Sequence, residues 1–260
     1  MSNNNILSNV PDMNYKEAAR DVDPQAFIDV VESRRSVRVY TDEPIPEEIV
    51  QQCLDLALLA PNSSNLQAWE FYWVRSEENK AEMVEACLSQ PAASTAAEII
   101  VSVARTGTWK KHAQQMVEMF QEQERQGGTV PKSAYAYYQK IVNVVYRVGW
   151  FGALAPFKWL FFNVMGLFRP MPREPLGKGG MKIWAVKSAA LACENLMLAF
   201  RAFGYDTCPM EGLDSARVKK ILKLPSDAVV VMAISAGRRD AKGIYGPRVR
   251  FPREQFIKEV

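Results

Sequence analysis

The chain has 260 residues, 48% of them apolar, enough for one large domain with its own core. A formal net charge of only +3 gives no whole-molecule case for a nucleic-acid partner, so any anion binding must rest on local clusters. Four cysteines without a C-x-x-C pair and a single histidine are too few good ligands for a zinc site, and point instead to free thiols buried in a reducing compartment.

The first residues, MSNNNILSNVPDMNYKEAARD, lack the basic-then-apolar order of a signal peptide. Residues 1–23 are expected to form a surface arm, residues 24–260 a single domain, and the expected location is the cytoplasm. DPQAFIDVVESRRS predicts a short helix capped by Asp23, with Pro24 at its first position and Phe27, Val30 and Val31 on one face. IPEEIVQQCLDLALLAP predicts a second helix, Pro46 in its first turn and a buried stripe through Ile49, Val50, Cys53, Leu54, Ala57 and Leu58. A polar loop, NSSNLQAW, then leads to a strand, EFYWVR. EIIVSVAR at 98–105 and AVVVMAISAG at 228–237 are short, β-branched and continuously apolar, the pattern of central strands.

Residues 107–180 read as an insertion. It opens on a charged helical pattern, WKKHAQQMVEMFQEQERQ, with His112 on a solvated face. An aromatic stretch between Tyr135 and Phe168 follows, broken by Arg147, Pro156 and Lys158 into runs too short to span a bilayer. Three readings stand: a lid over a ligand pocket, a segment at 141–170 that docks on a membrane surface, or a cover for the core. In the lid reading Trp150, Phe151, Phe157, Trp159, Phe161 and Phe162 face a ligand, and Gly127, Gly128, Gly177, Gly179 and Gly180 are hinges. KIWAVKSAALACENLMLAFRAFG then predicts a long helix with a stripe through Ile183, Val186, Ala190, Cys193, Met197 and Phe200, stopped by Gly204. DSARVKKILKLP predicts a short capped helix. Helices and strands without a regular βαβ repeat favour an α+β fold in layers.

No G-x-S-x-G, Walker or G-x-G-x-x-G pattern is present. The chemistry-bearing stretches are four. RRSVR at 34–38 crowds Arg34, Arg35 and Arg38 around Ser36; taken alone this is either a solvated basic surface or an anion site. PNSSNLQAW puts Asn62, Ser63, Asn65 and Gln67 on one loop after Pro61. GYDTCPMEGLD at 204–214 and GPRVRFP at 246–252 complete the set. In this order and rough spacing the four stretches resemble the nitroreductase family of flavoenzymes, over about 24–106 and 182–260 but not the insertion.

The resemblance implies a central, mostly antiparallel sheet flanked by helices, an interlocked homodimer and FMN at the interface. Arg34, Arg35, Ser36 and Arg38 would hold its phosphate, ribityl chain and ring edge. Pro61, Asn62, Ser63, Asn65 and Gln67 would reach the same FMN from the other subunit. Pro209, Met210, Glu211 and Gly212 would form a turn along the flavin ring, and Arg248 and Arg250 would return to the phosphate. The implied reaction is ping-pong: NADH or NADPH reduces FMN, and a nitroaromatic, quinone or similar flat acceptor reoxidises it, with no side chain required as acid or base. Tyr135, Tyr137, Tyr138 and Lys140 are further candidates for ligand contact. The alternatives are a flavin-binding or storage protein with little turnover, and a reductase docked on a membrane surface.

Overall fold

A computed structural model of the chain describes residues 15–149 and 153–260; residues 1–14 of the expected arm, and Trp150 and Phe151, lie outside the described residues. Residues 15–23 are exposed and form neither helix nor strand.

Four antiparallel strands form one sheet in the order β1-β2-β4-β3, where β1 is Trp69–Val74, β2 Glu98–Arg105, β3 Asp206–Met210 and β4 Ala228–Gly237. The two continuously apolar runs are the central strands, with Ile100 opposite Ile234. The stretch expected as a turn at 209–212 begins as strand, and it tolerates Pro209 because β3 is an edge.

Helices cover both faces. On one, α9 (Gly177–Ala202) and α2 (Glu47–Leu58) bring Cys193, Leu196, Phe200, Val50 and Cys53 against Ile100 and Ile234. On the other, Met83 of α3 (Glu77–Ala86), Ala92 and Ala93 of α4 (Pro91–Ser94) and Val218 of α10 (Ser215–Ile221) pack on Val101, Val103 and Ala233. All four cysteines are free and buried, and burial pushes the Cys53 thiol up to about 12 and the Cys87 and Cys193 thiols to about 11, so they stay protonated and inert.

Capping follows the sequence closely. Asp23 accepts from Gln25 N at the start of α1 (Pro24–Ser33), and Asp214 accepts from Ala216 N and Arg217 N at the start of α10. Pro46 is the N-cap of α2 rather than part of its first turn, and Leu58 is exposed. The face of α1 expected to be buried is not: no residue of α1 is buried, and Phe27 is 62% exposed. The stripe of α9 is also rotated in its first half, where Trp184, Ala185, Ser188 and Ala189 point inward and Ile183 is 54% exposed. A tryptophan buries more area than an isoleucine, which decides the rotation.

The insertion is helical: α5 (Trp109–Arg125), α6 (Lys132–Ala136), a π turn (Tyr137–Ile141), α7 (Val142–Tyr146) and α8 (Ala155–Gly166). Its first half is core, because Ala113, Val117, Tyr138, Val142 and Tyr146 pack with Trp69, Trp184 and Ala185. The expected hinges are helix ends. Gly127 takes φ +86° where α5 stops, and Gly177, Gly179 and Gly180 form the first turn of α9. A Cβ on Gly180 would stand 3.2 Å from the Pro175 backbone, so this glycine serves a close packing contact.

Candidate cofactor site

The basic stretch leaves α1 in extended conformation and runs beside the edge strand: Ser36 forms a parallel bridge with Thr207, and Val37 N donates to Thr207 O at 3.1 Å. Beyond β4 the chain doubles back along the other side of the same stretch. Tyr40 bridges Arg239, Asp240 N donates to Val39 O at 3.1 Å, and Arg38 N donates to Gly243 O at 2.8 Å. The approach at Gly243 is so close that a Cβ there would sit 2.6 Å from Val39 O. Arg35 Nη2 then donates to Gly246 O at 2.6 Å, and Arg248 Nη2 to Glu32 O and Arg34 O at 2.7 and 2.5 Å.

These bonds bring two sequence-predicted stretches together. A cleft of about 190 Å³ is lined by Arg34, Arg35, Ser36, Arg38, Arg248 and Arg250, with Pro247 and Val249. Five guanidinium groups share it, and among the described residues none of the five is ion-paired. Neighbouring arginines are spoken for: Arg201 and Arg239 pair with Asp206, Arg238 with Glu43. Partial burial, then the charges of Arg250, Arg35 and Arg34, hold Arg248 below the usual arginine range. Arg38 lies over the Tyr245 ring at 5.2 Å. Uncompensated cations with free donors on one small cleft fit a phosphate dianion and suit no apolar or cationic ligand.

Pro209–Gly212 continue from the strand that pairs with Ser36 but do not line this cleft. Met210 is buried, and the Gly212 carbonyl accepts from Gln90 Nε2 at 2.9 Å. Next to them burial raises the Cys208 thiol, an effect that Arg38 and Arg34 oppose.

The polar loop stands apart from the arginines. Asn62 and Ser63 line a cavity of about 250 Å³ with Tyr146 and Trp184; Asn65 and Gln67 line one of about 800 Å³ with His112 and Met116. Pro61, Ser63, Asn65 and Gln67 are exposed. The loop is nonetheless rigidly held. Ser64, Asn65 and Gln67 take positive φ, and Asn62 Oδ1 accepts from Gln67 N at 2.7 Å. Ser64 Oγ lies 2.6 Å from the Tyr137 hydroxyl and 2.9 Å from that of Tyr146, and the Tyr138 hydroxyl donates to Ser64 O at 3.0 Å. His112 is not on a solvated face: its Nδ1 lies 2.6 Å from the Leu66 carbonyl. Of the tyrosines named as candidates for ligand contact, Tyr137 and Tyr138 hydrogen-bond to this loop and Tyr135 donates to Glu124.

A family model described as the nitroreductase family matches residues 31–238, from the basic stretch to the end of β4. The chain belongs to the nitroreductase family. It is 27% identical over 224 residues to an NADH dehydrogenase of Thermus thermophilus, covering 86% of this chain and 91% of that one. It is 24% identical over 232 residues to a 4-nitrobenzoate reductase of Pseudomonas putida, covering 88% and 91%. Among solved structures, a nitroreductase-type protein from Exiguobacterium sibiricum in complex with FMN is 25% identical, with a TM-score of 0.65 over 95% of this chain and 100% of that one.

Within this nitroreductase, sequence reasoning missed Tyr245, Tyr146 and His112 as site-shaping residues. Tyr245 was legible, since it immediately precedes the last stretch, GPRVRFP at 246–252. Tyr146 and His112 carry no local signal, because their partners are about 80 and 46 residues away.

Proposed function

We propose that this nitroreductase is a homodimeric, FMN-dependent oxidoreductase that passes reducing equivalents from NADH or NADPH to a flat organic acceptor. The observation that carries the reading is the cleft of five unpaired arginines, whose charge and size suit one terminal phosphate. Arg34, Arg35, Arg38, Arg248 and Arg250 would bind that phosphate, with Ser36 donating a hydroxyl. FMN, when bound, supplies hydride acceptance and release, which no side chain of this chain offers. The protein's part is to hold and orient it. The Ser36–Thr207 pairing fixes the arginine stretch against the strand that leads to Pro209–Gly212, where Pro209, Glu211 and Gly212 would lie along the flavin ring while the Met210 side chain is buried.

The second copy is part of the reading. The loop at 61–67 presents Asn62, Asn65 and Gln67 away from the arginine cleft of its own chain, which supports a site completed by two chains. An NADH dehydrogenase and a 4-nitrobenzoate reductase among the relatives support the reductant and the acceptor class.

Heat release of the flavin and chromatography against standards tests the cofactor: FMN is expected, and FAD or no flavin after reconstitution overturns the reading. Anaerobic addition of NADH or NADPH should then bleach the holoprotein. A yellow protein that neither nucleotide bleaches would be a flavin-storage protein.

A further inference from the structure

We propose that α8 is an interfacial helix that docks this protein on an anionic lipid surface. Among the described residues, α8 and the turn after it stand out for apolar surface without a partner. Phe157 is 72% exposed, Leu167 and Phe168 each 80%, and Trp159, Leu160 and Phe161 all more than half exposed. Only Phe162 of α8 is buried. The one charged residue in 155–168 is Lys158, and its ammonium is turned back onto the protein, donating to Val145 O at 2.5 Å. Burial lowers its pKa accordingly. The outward face of α8 therefore carries aromatic and aliphatic groups and no charge. A patch of this kind marks an interaction surface.

Charge selects the occupant. From residue 126 to residue 173 the chain contains no aspartate or glutamate, while it carries Lys132, Lys140, Arg147, Lys158, Arg169 and Arg173. The molecule as a whole is +3, so everything outside this stretch is net acidic. Arg147 precedes α8, Arg169 follows it, and Arg173 folds back to donate to Asn163 on its side. Beside the start of α8, a groove of about 690 Å³ is lined by Arg147, Gly149, Lys178, Lys182 and Lys219. Asp227, the acid in that groove, is held by Arg105. An apolar, Trp-bearing helix with cations at both ends and a basic groove beside it is the arrangement that lies in a headgroup layer.

Length fixes the mode. At 12 residues α8 reaches about 18 Å, well short of a bilayer's hydrocarbon core, so it lies in the surface plane. Among the described residues, the helix long and apolar enough to span is α9, and 56% of its apolar window is buried inside the protein. A second copy of the chain would bring the same acid-free, cationic stretch against itself, which disfavours it as the cover. The proposal does not rest on flavin chemistry.

Cosedimentation of the full-length holoprotein with vesicles tests it. Vesicles of phosphatidylcholine with roughly 30 mol% phosphatidylglycerol should bind the protein, vesicles of phosphatidylcholine alone much less, and added salt should weaken binding. Phe157→Ser/Leu160→Ser/Phe161→Ser should reduce partitioning at least roughly tenfold. Arg147→Glu/Arg169→Glu should erase the preference for anionic vesicles. Leu167→Ser and Phe168→Ser, at two positions too exposed to affect folding, repeat the test should the triple variant not fold. Absence of vesicle binding by the wild-type protein overturns the proposal. So does binding that the apolar variants leave unchanged, or a sedimentation coefficient that falls in those variants while no vesicles are bound, which would assign α8 to a protein interface.

Discussion

Arg248 spends one nitrogen on the carbonyls of Glu32 and Arg34, and the residue lines the arginine cleft proposed to hold the phosphate. Arg248→Ala should therefore weaken FMN by about 1.5–3 kcal/mol, roughly 10- to 150-fold in Kd by flavin fluorescence titration. Lysine should restore only part, because it lacks the fork that serves the two carbonyls and a phosphate together. Gly243→Ala acts without touching ligand. Its methyl meets Val39 O at 2.6 Å and Val37 Cγ1 at 2.8 Å, and a backbone oxygen does not yield. A cost of about 1–3 kcal/mol is expected in thermal unfolding, together with looser flavin. Far from the cleft, Arg105 joins β1 to the turn before β4 through Glu70 and Asp227. Burial pushes the Asp227 carboxyl up, but Arg105 and the Gly107 N–H outweigh it and hold the group below the usual carboxylate range. A depressed carboxylate stabilises the fold fully above its unfolded pKa of about 4 and loses that contribution as pH falls through the folded value. Arg105→Ala should cost roughly 2–3 kcal/mol at pH 7, and the gap from wild type should close below about pH 4 in denaturant titrations.

The loop at 61–67 works as an element because residues outside it supply its rigidity. Tyr146 reaches both Ser63 Oγ and Ser64 Oγ, so Tyr146→Phe should cost about 1–3 kcal/mol in stability and raise the KM for acceptor. FMN affinity should change less than in Arg248→Ala, since the arginine cleft is untouched. The same elements show what the sequence could tell. Strands β2 and β4 were legible as unbroken β-branched runs bounded by breakers, and α10 by its Asp214 cap. Helix α3 was not, because only Met83 and Ala86 of its ten residues are buried and no apolar stripe advertises it. His112 sits among lysines and glutamines, so its inward turn to Leu66 is a tertiary fact invisible in its neighbours. The arginine stretches were individually ambiguous. Their joining across 211 residues, between Arg35 and Gly246, puts both stretches on one cleft, and no local pattern encodes that pairing.

At the scale of the molecule, apolar side chains left outside the core offer a surface for the homodimer proposed above. Phe27 and Val31 on α1, Leu56 and Leu59 at the end of α2, and Ile183 and Leu191 on α9 are all exposed, and Asn195 of α9 bonds the Leu56 carbonyl, which sets two of these helices side by side. Burying such a surface is the expected role of an obligate dimer interface, on the order of 2,000 Å² or more. Sedimentation at low micromolar concentration should show no monomer. Leu59→Lys/Leu191→Lys should yield one, and that monomer should bind FMN more weakly than the dimer although all five arginines are intact.

The doubling back of the chain at Gly243 also dates the site in the life of the protein. Arg34, Arg35 and Arg38 are synthesised long before Arg248 and Arg250, which follow the last strand of the sheet. A nascent chain therefore has the four strands of its sheet before it has both sides of the arginine cleft, and flavin binding there, as proposed above, would have to follow synthesis of Arg248 and Arg250. Chains that stop before residue 243 should accumulate folded and colourless, which flavin absorbance of the truncated protein checks.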